Sequence, residues 1–395
     1  MGRGAETAAH PAQGDPPAGV GMTRTGTGAG AGTESDLQVP FVRAYGDPYE
    51  CGRRHGTERG ASLRGFVGDG LARLARIMPD PVSMESLRPV LAAHRAEIEA
   101  QTPRLMEEIR GLAAGAGLSE DEAMLLQLRR EIMGYQRIPT AGDCTTYART
   151  GGGAPPVLAQ TVDLNGDLDD QISVVRVAPA GSPRQSLVLS FGGLLGYLGV
   201  NSDGLAVGLN LVLGGAWRPG LPPYLAIRHL LDTTSCVDEA VDSLRGLKLT
   251  SSRTLVLCDR EKTAWVEFLG DDFRIAEADI TTHTNHFLHP DFVPHDELNV
   301  FARNFSQLRL NTCRGELAAL PPDAGVEDHF AVLSRAPIRV EGNGDIRRER
   351  TVAAVVLRPD LGELHVRPGD PAHSRTRSFQ LRGPDPHHPT TEVTA

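Results

Sequence analysis

The sequence predicts an α+β protein built in layers, with two β-sheets stacked between helices. Three features carry this expectation. Up to about residue 134 the apolar residues recur at helical spacing. After Cys144 the pattern changes to short segments rich in Val, Leu and Ile, separated by Gly, Asn and Asp turns. That run of strands is then interrupted by helical stretches at 222–231 and 237–245, an order that suits sheets sandwiched between helical layers.

Residues 1–36 are rich in Gly, Ala, Pro and Thr and carry too little apolar surface to offset the entropy of ordering, so a disordered tail is expected, and Met22 could serve as the start. Leu37 to Tyr45 alternates as a first strand. Asp47 then caps a helix whose first position is Pro48. Phe66, Val67, Leu71, Leu74, Ala75 and Met78 keep helical spacing up to Pro79, and 87–101 does the same with a charged opposite face. A further helix begins at Pro103 and stops on glycines, and Ser119 with the acidic residues behind it caps another that runs to about Gly134. Strands are expected at 157–163, 172–177, 186–191, 196–201 and 205–212, with Asn201 opening a hairpin turn, and again at 253–259, 263–269 and 273–278. Helices at 299–312 and 326–333 and a hairpin of 351–357 with 364–366 complete the pattern. The expected division is a tail over 1–36, a mainly helical segment over 37–143, a layered chain over 144–380 and a mobile tail over 381–395.

A chain of 395 residues with 40% hydrophobic content can bury a substantial core. The net charge of −10, with both signs mixed along the chain, argues against nucleic acid or an anionic membrane as partner. No stretch approaches the roughly 18 apolar residues of a membrane helix. The N-terminus lacks the apolar core of a signal peptide, and Glu6 stands where a myristoylation motif needs Ser or Thr. Five cysteines without CxxC spacing argue for a reducing compartment, so a cytoplasmic protein is expected. Gly192-Gly193-Leu194-Leu195-Gly196 lacks the Lys and Ser/Thr of a phosphate loop, and no cofactor is expected.

The chemistry centres on Gly142-Asp143-Cys144-Thr145-Thr146-Tyr147, a glycine turn, and Gln160-Thr161-Val162-Asp163-Leu164-Asn165. This reads as two short paired strands with Cys144 at the start of one and Asp163 across from it. A nucleophilic cysteine needs a base, because the thiolate is the attacking species. An α-amino group at the same residue, with a pKa of about 7.7 to 8.0, would serve without a separate histidine. Asp163 either steadies that ammonium or belongs to the turn that Asn165 and Gly166 form. His283, His286 and His289 have a zinc-like spacing, but their segment is rich in β-branched residues, is broken by Pro290 and lacks an HExxH or CxxC companion, so no metal is expected. The same histidines would serve a papain-like pairing with Cys144; enzymes of that kind carry the cysteine at the head of a helix, whereas here Thr145-Thr146-Tyr147 opens a strand.

These motifs, with Tyr49-Glu50-x-Gly52 and Glu108-x-Arg110-Gly111-x-Ala113-x-Gly115, resemble the acyl-coenzyme A:6-aminopenicillanic acid acyltransferase family, a cysteine branch of the N-terminal-nucleophile hydrolases related to the bile salt hydrolases, over about 41–371. The resemblance implies a four-layer αββα sandwich and a precursor that cuts itself before Cys144, the two chains staying associated. It implies that the Asn285 amide, in Thr281-Thr282-His283-Thr284-Asn285, donates into an oxyanion hole. It offers Asn210 as a second site asparagine, unless that residue merely ends its strand. It also places an arginine ahead of the last hairpin, pointing at Arg348 with Arg350 close behind, unless that charge run is a solvated face. Relatives often carry glycine directly before the cysteine, where Asp143 stands here. The expected function is an autoprocessing cysteine amidohydrolase or acyltransferase acting on a small-molecule amide or acyl donor. A catalytically silent binding relative and a Cys/His endopeptidase are the alternatives.

Overall fold

The computed structural model describes residues 37–134 and 144–381. The expected tail over 1–36, Gly142, Asp143 and nearly all of the tail after 380 lie outside the described residues. The chain opens with β1 (Phe41–Gly46) and then α1 (Pro48–Gly68), whose cap is Asp47, its carboxylate accepting from Glu50 N at 2.8 Å. A short α2 (Leu74–Ile77) leads to α3 (Met84–Gln101) and α4 (Pro103–Ala116), which ends on Gly117 at φ 68°. The capping box of Ser119 and Glu122 starts α5 (Glu120–Met133).

Strands dominate from there: β2 (Thr146–Arg149), β3 (Val157–Leu164), β4 (Ile172–Pro179), β5 (Ser186–Phe191), β6 (Leu198–Asn201) and β7 (Ala206–Leu211). The helix pair α6 (Pro223–Thr233) and α7 (Val237–Arg245) follows, then β8 (Arg253–Cys258), β9 (Thr263–Leu269), β10 (Asp272–Ala278) and β11 (Ile280–His283). The last elements are α8 (Val300–Ala319), α9 (Val326–Leu333), β12 (Arg350–Arg358), β13 (Glu363–Pro368) and β14 (Arg377–Gln380).

One sheet runs in the order β1-β4-β5-β6-β7-β8-β9-β10 and the other in the order β11-β2-β3-β12-β13-β14. Pairing is antiparallel except between β1 and β4. The sheets face each other, β2 and β3 lying on β7 and β8, and β12 and β13 on β6. Helices α6 and α7 cover the outer face of the larger sheet, and α8 and α9 that of the smaller, so the architecture is the αββα sandwich. Strands β5 and β7 are buried along their whole length because both faces are covered, which is why they read as continuous apolar runs.

Two strands escape the sequence pattern. β11 is Ile-Thr-Thr-His and β14 is Arg-Ser-Phe-Gln; each is held by its neighbour, β2 and β13, rather than by an alternation of its own. Helix α8 continues seven residues beyond the expected stop at 312, running through Gly315 to Ala319.

The helices before Cys144 are built into the rest. α1 and α4 cross at a row of glycines: a Cβ on Gly52 would lie 1.9 Å from Glu108 O, and one on Gly111 would lie 1.9 Å from Tyr49 O. Only hydrogen at those positions lets the backbones touch. At the far side of α4, Glu108 accepts two bonds of 2.9 Å from Arg228 of α6, both side chains buried. Arg253 of β8 pairs likewise with Glu131 of α5 at 3.1 Å. β1 itself is an edge strand of the larger sheet. Gly111→Ala is therefore expected to destabilise the protein by about 1–3 kcal/mol through overpacking. Gly65→Ala, where a Cβ meets nothing within 4 Å in the same α1 helix, should raise stability by about 0.5–1 kcal/mol. Urea midpoints of the two variants should move in opposite directions; a shared direction would show that the glycine contact does not set the crossing.

Candidate active site

The site grows from the ladder between β2 and β3. Thr146 pairs with Gln160, and the ladder runs on as Thr161 N donates to Thr145 O at 2.9 Å while Thr145 N donates to Thr161 Oγ1 at 3.0 Å. Cys144 comes next, and its Sγ lies 3.5 Å from the backbone N of Asp163. Cys144 is only 3% exposed. The Tyr197 hydroxyl approaches the same sulfur at 3.5 Å, its ring stacked on Tyr224 and set edge-on to Phe191.

Asp163 belongs to β3 rather than to the turn behind it, and it is fully buried. Across from it stands Thr351 of β12, whose hydroxyl donates to Asp163 Oδ1 at 2.6 Å. The β12 register shifts between Thr351 and Ala353, a bulge at the point where the strand meets this carboxylate.

The carbonyl of Cys144 is held from two sides. Asn210, near the end of β7 in the opposite sheet, donates to it from Nδ2 at 2.8 Å. Arg309 of α8 donates to it from Nη1 at 3.0 Å and gives a second bond to Thr145 Oγ1 at 3.0 Å. Arg309 Nη2 in turn donates to Asn285 Oδ1 at 2.5 Å. Asn285 follows β11; its backbone N donates to Ser306 Oγ at 2.8 Å and its Nδ2 to Leu211 O at 2.9 Å. Cys144, Asp163, Asn210 and Asn285 thus form one connected, buried cluster, in which the Asn285 amide meets a strand carbonyl and a guanidinium.

Arg348 is not in it. Its side chain is exposed and lines an open surface cavity with Asp167 and Asp345. Arg350 binds Asp167 at 3.0 Å and Asp169 at 2.6 Å. Neighbouring strand residues point to opposite faces. Thr351 faces Asp163, so Arg350 turns away, and Arg348 lies ahead of the strand altogether. The arginine beside Cys144 is Arg309, which sequence reasoning missed. A signal existed: Arg309 lies in the buried helical stripe of Ala302, Ser306, Leu310, Cys313 and Leu317. Tyr197, in the loop before β6, carried no comparable mark.

The histidines have partners of their own. His283 Nε2 is 2.8 Å from Glu267 Oε1, and His286 Nδ1 is 2.8 Å from Ser306 Oγ. Among the described residues no group of three metal-binding side chains comes together. Burial, followed by the charges of His283 and Arg309, pushes the His286 imidazole down to about 4. Burial pushes His329, bonded to the Tyr147 hydroxyl at 2.8 Å, down to about 4 as well. Both rings are neutral at pH 7.

A family model described as acyl-coenzyme A:6-aminopenicillanic acid acyl-transferase matches residues 149–366. The chain is similar to the acyl-coenzyme A:6-aminopenicillanic-acid-acyltransferase 40 kDa form of Emericella nidulans, with 26% identity over 275 residues, covering 67% of this chain and 74% of that protein. Among solved structures it is similar to a Caenorhabditis elegans ortholog of N-acylethanolamine-hydrolyzing acid amidase (18% identity, TM-score 0.44, 60% of this chain and 100% of that one). It is also similar to penicillin V acylase from Agrobacterium tumefaciens (14% identity, TM-score 0.42, 60% and 86%).

A pH dependence follows from the neutral histidines. Their folded values lie below the ordinary value of 6.5, so the unfolded chain takes up protons first as pH falls. The contribution of these rings is fully present above about pH 6.5 and is lost as pH drops towards 4. Melting temperatures across this window should fall, and His329→Gln should show a shallower slope than the parent chain. An equal slope in both would mean that His329 is already protonated in the fold.

Proposed function

The chain belongs to the acyl-coenzyme A:6-aminopenicillanic acid acyltransferase family, and on that premise we propose that it is an autoprocessing cysteine amidohydrolase or acyltransferase. Its substrate in this proposal is a small-molecule linear amide. The observation that carries the reading is the meeting of Cys144 Sγ with Asp163 N, at a residue whose carbonyl is fixed by both Asn210 and Arg309. The backbone at the future N-terminus is thereby immobilised, and a buried carboxylate lies beside it.

Processing begins with attack of Sγ on the carbonyl carbon of residue 143; the 143–144 C–N bond breaks, the thiol proton passing to nitrogen, to give a thioester and the free Cys144 α-amine, and water then hydrolyses the thioester to release the residue 143 carboxylate and the thiol. In turnover that amine takes the thiol proton, and the thiolate attacks the substrate carbonyl carbon. Asp163 steadies the ammonium so formed. Negative charge develops on the carbonyl oxygen, and Asn210 and Asn285 are assigned to it. Asn285 acts there with the Arg309 guanidinium that it holds. As the C–N bond breaks, the leaving amine takes the proton from the ammonium. Water then attacks the thioester and releases the acid, or an amine attacks and completes a transfer. The Emericella nidulans relative is named for acyl transfer, so both outcomes stay within the proposal; hydrolysis is favoured because water is the abundant acceptor.

The contacts that join 37–134 to the rest support two chains that remain together, since β1 sits in the larger sheet and Glu108–Arg228 and Glu131–Arg253 cross the division. All five cysteines are free thiols, which suits a reducing, cytoplasmic setting. Among the described residues no helix is long and apolar enough to cross a membrane.

Intact mass spectrometry should find two chains, the larger beginning at Cys144, and a single chain for Cys144→Ala. An uncut yet active wild type would rule out the N-terminal amine as base. Asp163→Asn should slow both processing and turnover, and Asn285→Ala should lower kcat by about 10²–10³. With small amides as substrates, hydroxylamine should trap the acyl group as a hydroxamate in wild type and not in Cys144→Ala. Turnover of casein with none of the small amides would point to an endopeptidase instead.

A further inference from the structure

A second set of buried polar atoms lies beside the nucleophile and has no part in that mechanism. Between α5, the turn after β3 and the loop before β6 there is a cavity of about 30 Å³. That is room for about two water molecules, or for a group of carboxylate size. Its walls include the rings of Phe191, Tyr197 and Tyr224 and the polar side chains of Gln127, Arg129, Arg130 and Asn165.

Two of these, Arg129 and Asn165, are buried, and each keeps one nitrogen without a partner among the described residues. Arg129 is 8% exposed; its Nε donates to Ala72 O at 2.8 Å, but Nη2 has no hydrogen-bond partner. Asn165 is 3% exposed, and its Nδ2 has none either. Gly166, at φ 92°, lets the turn close over the guanidinium, since a Cβ there would lie 2.3 Å from Nη2. Among the described residues that line the cavity none is acidic. The next acid along the helix, Glu131, is committed to Arg253. Burial, and then the neighbouring charge of Arg130, bring the Arg129 guanidinium down to about 9, which leaves it cationic at neutral pH. A buried cation facing unpaired donors, with no acid among the described lining residues, is costly to maintain unless something negative occupies the space.

The cavity is also next to the chemistry. Tyr197 lines it and reaches Cys144 Sγ, and Asn165 stands two residues beyond Asp163. We propose that Arg129 and Asn165 bind a free carboxylate of the substrate, so that the amide opened at Cys144 carries a carboxylate near its scissile bond. This rests on the amide-cleaving reading of the site. Two kinds of molecule present that chemistry: an N-acyl amino acid, with the carboxylate on the amine half, and a monoamide of a dicarboxylic acid, with it on the acyl half.

The test uses N-hexanoylglycine against N-hexanoylglycinamide, and the N-butyl monoamide of adipic acid against its terminal carboxamide. Calorimetry on Cys144→Ala, which cannot turn substrate over, should show the acid of one pair binding at least about tenfold tighter than its neutral partner, and the pair that shows it identifies the half. Asn165→Asp, isosteric but anionic, should abolish or reverse the preference. Arg129→Met should bring acid and carboxamide to parity, with thermal melts confirming that both doubly substituted proteins fold. Equal binding within both pairs, or no binding of any of the four to Cys144→Ala together with equal kcat/KM within both pairs on the processed wild type, would overturn the proposal. The amide-cleaving reading fails separately: an acid preference in binding without turnover of any amide by wild type would leave the carboxylate site standing, whereas turnover with equal kcat/KM for acid and carboxamide would remove the carboxylate site and leave the enzyme.

Discussion

Everything at the site depends on the register between β2 and β3. Side chains alternate along a strand, so a slip of one residue would send Asp163 to the opposite face and Cys144 to a different neighbour. The register is pinned from outside as well as within the ladder. Gln160, the β3 partner of Thr146, reaches across to the other sheet and bonds Leu209 like a strand of its own, Nε2 to Leu209 O at 2.9 Å and Leu209 N to Oε1 at 3.0 Å. Gly208 makes that approach possible, since a Cβ there would lie 2.6 Å from Gln160 Oε1. Two residues on, Asn210 meets the Cys144 carbonyl. One buried amide therefore joins the sheets beside the point where the opposite sheet holds the Cys144 carbonyl.

The charges of the interior follow a related logic. Taking an ion out of water costs several kcal/mol, and a partner of good geometry only offsets that. Arg228 and Arg253 have buried carboxylates from the helices ahead of Cys144. These pairs are weak evidence for net stability, yet removing one member leaves an uncompensated charge at a cost of about 3–5 kcal/mol. They consequently make residues 37–134 a required part of the sandwich. Arg309 bonds a carbonyl, a hydroxyl and an amide oxygen, and so ties α8 to Cys144 and Asn285. Arg129 is a third case, with a backbone carbonyl on one nitrogen and a cavity in front of another.

Reading along the chain found the elements whose signals are local. Asp47 and Ser119 mark helix starts through the donors they satisfy, and β4, β5 and β7 declare themselves by continuous apolar runs. β11 and β14 do not, because their stability comes from a partner strand that is distant in sequence. Gly315 masked the continuation of α8, where packing outweighs the cost of a glycine in a helix.

The sequence by itself determined the layered α+β class, the change from helix to strand at Cys144, and the pairing of the Cys144 strand with the one that carries Asp163, although the register sets Val162 across from Cys144 and brings only the Asp163 backbone N to its sulfur. Only the tertiary structure decided which arginine stands beside Cys144. Arg309 is 165 residues from Cys144, and no periodicity links a stripe position on α8 to a strand carbonyl; a charge run such as Arg347-Arg348-Glu349-Arg350 is conspicuous in sequence because water, not the core, is its partner. The same holds for Arg129 and Asn165, whose shared cavity exists because a helix and a turn far apart in the chain are pressed against one face of Tyr197. Burial and unmet hydrogen bonds are properties of the packed molecule, and they become visible when the elements are brought together.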